Sequence, residues 1–235
     1  MKTLWMSLIY KPFYNTLVFL VDYVYDHSMF ISVIILTLFV RFLIYPLSYK
    51  SIKTQIQTKK IQPELNKIKK EITDKQEQAR ATMELYKKHD VNPFSSFFVM
   101  LIQLPIILAL YWVLKDISTG LDTNLLYSFI PKPQNINLNT FGFDLTQKSY
   151  VLAILTGLTQ FIYLSFSSSM RKDKSENKSD KEKMMSMVSQ SMKYTMPIMI
   201  SVFSYAIGGA VALYWVTSNI FMIFQELYIQ KKLKK

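Results

Sequence analysis

The chain has 235 residues, half of them hydrophobic, with 28 Lys and Arg against 16 Asp and Glu, a formal charge of +12 and no cysteine. A basic soluble domain that binds nucleic acid would be far less apolar than the mean hydropathy of +0.15 found here, so charge and apolarity together point to a membrane protein with basic loops. Without cysteine there is no disulfide framework, thiolate metal site, thiol nucleophile or lipidated thiol. His27 and His89 stand far apart, so catalytic residues, metal ligands and cofactors are not expected.

Residues 1–28 place Phe13, Leu17, Leu20 and Val24 on one helical face, with Lys11, Asn15, Asp22 and Asp26 on the other. This spacing predicts an amphipathic helix lying on the outer membrane interface and entering the membrane through Ser28. The alternative is an uncleaved apolar leader, since no small-x-small cleavage site follows. Residues 29–47 then form a first span whose only charge is Arg41. A second span covers 93–114, with Asn92 as its cap and Pro93 at its first helical position. A third covers 150–166 and a fifth 210–228, the latter with Glu226 near its end. The fourth, 187–207, reaches the roughly 20 residues needed to cross the hydrocarbon only if Lys193 snorkels to the surface.

Between the first two spans, residues 48–92 carry 11 Lys and Arg, while the loop 115–149 carries three, 167–193 seven and the tail 229–235 four. Basic loops stay in the cytoplasm, which predicts an outer N-terminus, a cytoplasmic C-terminus and an external loop 115–149. Within 48–92, Ile61, Leu65, Ile68 and Ile72 recur at helical spacing. Thr73 reads as an N-cap with Gln76 reaching back, and Ala79, Met83 and Tyr86 share a second face. The result is a cytoplasmic helical hairpin, read either as a docking arm or as a solvated connector. Residues 167–186 read as a flexible cytoplasmic loop. Methionines 184, 185, 187, 192, 196 and 199 read as core gap-fillers or as an adaptable surface for apolar clients.

Arg41 is the most informative residue. It lies six positions before Leu47, about 9 Å inside the cytoplasmic end of its span at 1.5 Å per residue. Its Cβ tilts away from the cytoplasm, which opposes snorkelling. An intramembrane arginine costs from ~3 to over 10 kcal/mol, depending on the reference. Spans two and three offer no acid within the bilayer, and Glu226 is the remaining candidate partner. A water-filled cavity open to the cytoplasm answers the cost otherwise, lined from Thr37, Gln103, Thr156, Gln160, Ser218 and Asn219. Guanidinium does not deprotonate there, so Arg41 is no proton relay.

Several stretches resemble the YidC/Oxa/Alb family of membrane protein insertases. They are 40–47 (Arg41 followed by Pro46-Leu47), 61–65, 84–89, 91–94, 101–106 (Gln103-Leu104-Pro105), 196–199 and 212–219 (Tyr214-Trp215). The resemblance implies an all-α integral membrane protein of the five-span form without a large outer domain. Its five transmembrane helices surround a hydrophilic groove, with a cytoplasmic helical hairpin and an N-terminal interfacial amphipathic helix. It implies a bacterial plasma-membrane insertase whose groove residues are Arg41, Thr37, Gln160 and Trp215; Gln103 is added from the cavity argument. Nascent membrane proteins and the lipid bilayer are the implied partners. The hairpin would face signal-recognition targeting machinery and the Sec translocon. Lys231, Lys232, Lys234 and Lys235 would suit ribosomal RNA or anionic lipid. Gly208-Gly209-Ala210 replaces the family's usual Pro-Ala-Gly before Leu213, and two glycines also make a turn. A small-solute transporter is the second reading, opposed by the lack of inverted repeats and midplane acids.

Overall fold

The computed structural model describes residues 2–92, 94–167 and 180–234. The chain starts as a nearly continuous helix: α1 (Lys2–Trp5), a π-helical stretch Met6–Tyr10, and α2 (Lys11–Tyr23). Its buried face is Tyr14, Leu17, Val18 and Val21, rotated from the expected one, and it packs on protein, against α3 (Met29–Lys60) and α6 (Ser95–Thr119). Asn15 therefore leaves the polar face assigned to it. It is 1% exposed, donates to the Lys11 and Leu125 carbonyls at 2.7 and 2.9 Å, and accepts from the Tyr127 N–H at 2.6 Å. Two of its three hydrogen bonds go to a loop more than a hundred residues away.

Ser28 caps α3, its hydroxyl accepting the Ile31 N–H at 3.3 Å, which satisfies one of the orphan donors of a helix start. The helix then runs 32 residues, through Pro46, so the first apolar run and the opening of the charged region form one rod. Proline at 46 cannot donate to the Phe42 carbonyl. At Ile61 the chain breaks into α4 (Gln62–Glu71) and α5 (Lys75–Lys88), closed on a small core of Ile61, Leu65, Leu85 and Val91. The cap of α5 is Asp74, not Thr73. One carboxylate oxygen takes the N–H groups of Gln76 and Glu77 at 2.7 and 2.9 Å, a charge-assisted arrangement that a threonine hydroxyl cannot match. Gln76 does not reach back; Gln78 instead donates to the Ile72 carbonyl at 3.1 Å.

Asn92 accepts the Phe94 N–H at 3.0 Å, and α6 begins at Ser95 and continues past 114 to Thr119; Pro93 lies outside the described residues. The loop 120–149 holds a structure the hydropathy pattern did not suggest. Strands β1 (Asn139–Thr140) and β2 (Phe143–Asp144) pair antiparallel around Phe141 and Gly142, both at positive φ, as tight hairpins require. Asn137 joins this hairpin to the start of α3, its carbonyl taking the Met29 N–H at 2.9 Å.

Three further helices complete the bundle: α7 (Tyr150–Phe166), α8 (Asp180–Ile207) and α9 (Gly209–Lys234). The first coincides with its apolar run, the second starts before residue 187, and the third carries the basic tail as helix. Gly157 meets Ser201 so closely that a Cβ would lie 3.1 Å from the serine Cβ, the small-residue contact by which helices approach in lipid. Gly208, at φ +137°, breaks α8 from α9. The Gly209 and Ala210 N–H groups donate to the Gln147 and Leu145 carbonyls at 2.8 and 3.1 Å, so the turn is stitched to the end of the loop 120–149. Helices α3, α6 and α9 are long and apolar enough to cross a membrane, and α7 is a shorter apolar helix. Many large apolar side chains face outward, among them Phe98, Leu104, Leu158 and Phe203. Met192, Met196 and Met199 are exposed as well, which contradicts their reading as core gap-fillers: α8 turns that face away from its neighbours. The expected loop 167–186 lies largely outside the described residues.

Candidate functional site: a polar cavity around Arg41

The helices alternate in direction. One end of the bundle, the loop end, gathers α2, the loop 120–149 and the Gly208 turn. The other, the hairpin end, gathers α4, α5 and the C-terminus of α9. Toward the hairpin end lies a cavity of about 260 Å³ whose wall includes Arg41, Ser51 and Gln55 of α3, Gln103 of α6, Gln160 of α7, and Trp215 and Gln225 of α9. Arg41 is 5% exposed. Among the described residues no carboxylate lies within 4 Å of its guanidinium, and its Nε has no hydrogen-bond partner.

Glu226, the acid weighed as its counter-ion, is fully buried on α9, with Oε1 accepting from Gln230 at 2.8 Å. An arginine buried in apolar packing without a paired anion is far too costly to persist. Here amides and hydroxyls from α3, α6, α7 and α9 share the wall with Ile52, Val99, Ile200 and Met222, so polar groups are at hand to tolerate a cation.

Four of the five residues expected at the groove reach this cavity: Arg41, Gln103, Gln160 and Trp215. Gln103 is held by donating to the Tyr214 hydroxyl at 2.7 Å, and Trp215 packs edge-on against Phe203 at 5.9 Å between ring centres. Thr37 does not line it. One turn deeper, it is buried and donates to the Val33 carbonyl at 2.6 Å, the ordinary use of a threonine within a membrane helix. Thr156 and Asn219 likewise serve helix packing. Thr156 donates to the Ala212 carbonyl at 3.1 Å and Asn219 to the Thr159 hydroxyl at 3.2 Å, tying α7 to α9.

Gln225, Ser51 and Gln55 were not anticipated. Positions 41, 48, 51 and 55 follow one face of α3, so helical periodicity carried past its apolar run would have found Ser51 and Gln55, and Gln225 shares one face of α9 with Trp215 and Met222 inside the predicted fifth span. Lys231 and Lys232 are exposed on α9, the latter with its ammonium 5.9 Å from the Tyr49 ring of α3. Lys234 ends the helix, and Lys235 is outside the described residues.

Apolar helices with outward-facing large side chains, packed around a cavity lined by an arginine with no carboxylate within 4 Å among the described residues, define an all-α membrane protein with a polar interior cavity. The chain belongs to the 60Kd inner membrane protein family, whose sequence pattern matches residues 20–235. It is 38% identical over 216 residues to a protein named membrane protein insertase YidC from Oceanobacillus iheyensis, covering 88% of this chain and 77% of that one. A protein of the same name from Fusobacterium nucleatum is 34% identical over 230 residues, covering 97% and 99% of the two chains. Another from Clostridium tetani is 30% identical over 207 residues, covering 88% and 83%. Family and apolar helices together make this a multi-pass protein of a bacterial plasma membrane.

Proposed function

We propose that this chain is a membrane protein insertase whose cavity around Arg41 receives the polar, often acidic segment of a nascent membrane protein while the client's apolar segment passes into lipid. The observation that carries the reading is the buried guanidinium without a carboxylate within 4 Å among the described residues. Such a cation attracts a client carboxylate strongly, because the surrounding dielectric is low. Carrying an ionised carboxylate unaided across hydrocarbon costs tens of kcal/mol in the idealised limit. A polar recess shortens the apolar path that remains, and Arg41 offsets part of the desolvation. Partition of the apolar segment into lipid then drives the step. No bond is made or broken, and no nucleotide or cofactor enters the scheme.

In this reading α3, α6, α7, α8 and α9 are five spans, with the N-terminus outside and the C-terminus cytoplasmic, as the basic hairpin and tail favour. The cavity then opens to the cytoplasm. Lys231 and Lys232, presented on a docked helix, join the tail's other lysines in a salt-sensitive contact with ribosomal RNA. The α4–α5 hairpin is the arm that meets targeting machinery and the Sec translocon.

The test is reconstitution in liposomes with a single-span client bearing an acidic tail, scored as protease-protected fragment. Arg41→Ala is expected to lower insertion at least tenfold, about the worth of one charge-assisted contact, and Arg41→Lys less. Both variants matching wild type would remove the charge mechanism.

A further inference from the structure

Two side chains that line this cavity, from the neighbouring helices α3 and α9, each keep a donor nitrogen without a hydrogen-bond partner among the described residues. One is the Arg41 Nε of α3; the other is the Gln225 Nε2 of α9, on a side chain only 6% exposed. Leaving a buried donor unsatisfied costs about 1–3 kcal/mol, and a neutral amide has none of the long-range attraction that justifies keeping Arg41. Leucine would fill the position on α9 without that cost. A buried amide donor kept on a cavity wall is therefore suited to a ligand that brings its own acceptor.

We propose that Gln225 is a binding residue for the client's main chain: its Nε2–H donates to a backbone carbonyl of the segment whose side chain Arg41 receives. This rests on the insertase reading and divides its labour. The guanidinium is selective, because it rewards a carboxylate. The amide is indifferent to sequence, because every residue carries a C=O and its geometry does not depend on the side chain. An extended polar segment entering a low-dielectric recess must satisfy its peptide groups as well as its charges. Gln55 of α3 and Gln160 of α7 supply further amides around the same cavity. The chemical class of the occupant is thus an unfolded polypeptide, acidic or neutral, held by its main chain.

The experiment uses the full-length protein in liposomes and single-span clients with either an acidic or a Ser/Asn tail of equal length. Gln225→Leu is expected to lower insertion of both tails by a similar factor, about fivefold, the loss of one neutral hydrogen bond. It should act on the client concentration needed for half-maximal rate more than on the maximal rate. Arg41→Gln should lower only the acidic tail. A semisynthetic client with its tail amides replaced by esters, which are weaker acceptors, should insert more slowly with wild type yet lose little further with Gln225→Leu. That non-additivity is the signature of a direct contact, and a purely structural glutamine would not produce it. Additive losses, or unchanged insertion of both tails by Gln225→Leu, would overturn the proposal while leaving the role of Arg41 intact. Unchanged insertion by Arg41→Gln alone would overturn the charge mechanism and leave the main-chain contact standing.

Discussion

Asn15 and Gln225 are both buried amides on helices of the same bundle, and they are treated in opposite ways. At the loop end, Asn15 uses its carbonyl and its amino group fully, closing α2 onto residues 125–127. Around it, the Tyr14 hydroxyl accepts the Asp122 N–H at 2.9 Å, Tyr10 donates to Asp116, and Ser28 donates to Thr140 at 2.9 Å. At the hairpin end, Gln225 and Arg41 each keep a donor without a partner. Native proteins pair buried polar groups wherever stability alone decides. On the proposed reading, the difference separates a plug, built to hold, from a recess, built to receive.

Substitutions at the two ends should diverge in sign. Asn15→Leu strands the Tyr127 N–H and the Leu125 carbonyl, so it should cost about 2–4 kcal/mol, read as a fall in the thermal unfolding midpoint in detergent. A smaller loss, about 1–3 kcal/mol, is expected from Gly209→Ala, whose Cβ would sit 3.0 Å from the Gln147 carbonyl oxygen. At the other end, Arg41→Met should leave unfolding unchanged or raise stability by up to about 2 kcal/mol, since an unpaired buried charge is removed, while insertion of acidic tails is lost. If Arg41→Met destabilises as much as Asn15→Leu, the two ends are not different in kind.

The smallest effect concerns alkaline pH. Burial, followed by the hydrogen bond to Asp116 and its charge, pushes the Tyr10 phenol above its usual value of 10.0. An unfolded chain would ionise this group near pH 10, the folded one only above it. Its contribution is therefore complete below pH 10 and fades as pH rises beyond. Tyr10→Phe should flatten that part of the stability profile, and an unaltered profile would remove Tyr10 from the plug.

The sequence made the recess easier to see than the plug. Arg41 stood out because a lone charge in an apolar run has few explanations, and Gln103, Gln160 and Trp215 followed from neighbouring apolar runs or motifs. Ser51 and Gln55 were hidden because α3 continues as helix after its apolar run fades, and hydropathy cannot see that continuation, whereas Gln225 lay inside the fifth span, where one amide among apolar residues does not show which face it takes. Asn15 was assigned to a solvated face because its partners at 125 and 127 are distant in sequence, and periodicity speaks only of local geometry. The β1–β2 hairpin escaped for a related reason: two-residue strands are too short for alternation to register. Thr73 follows from a motif rule, but two N–H groups converging on the Asp74 carboxylate make the next residue the cap.

The unbroken course of α3 has a mechanical consequence. From Arg41 to Lys60 the helix is a single lever about 28 Å long at 1.5 Å per residue, with α4 and α5 mounted at its far end. Pulling that end sideways by 2 Å would swing the shaft by about 4°, a motion ordinary for packed helices. On the proposed reading, whatever grips the hairpin thus has a handle on the angle at which the guanidinium would meet a client.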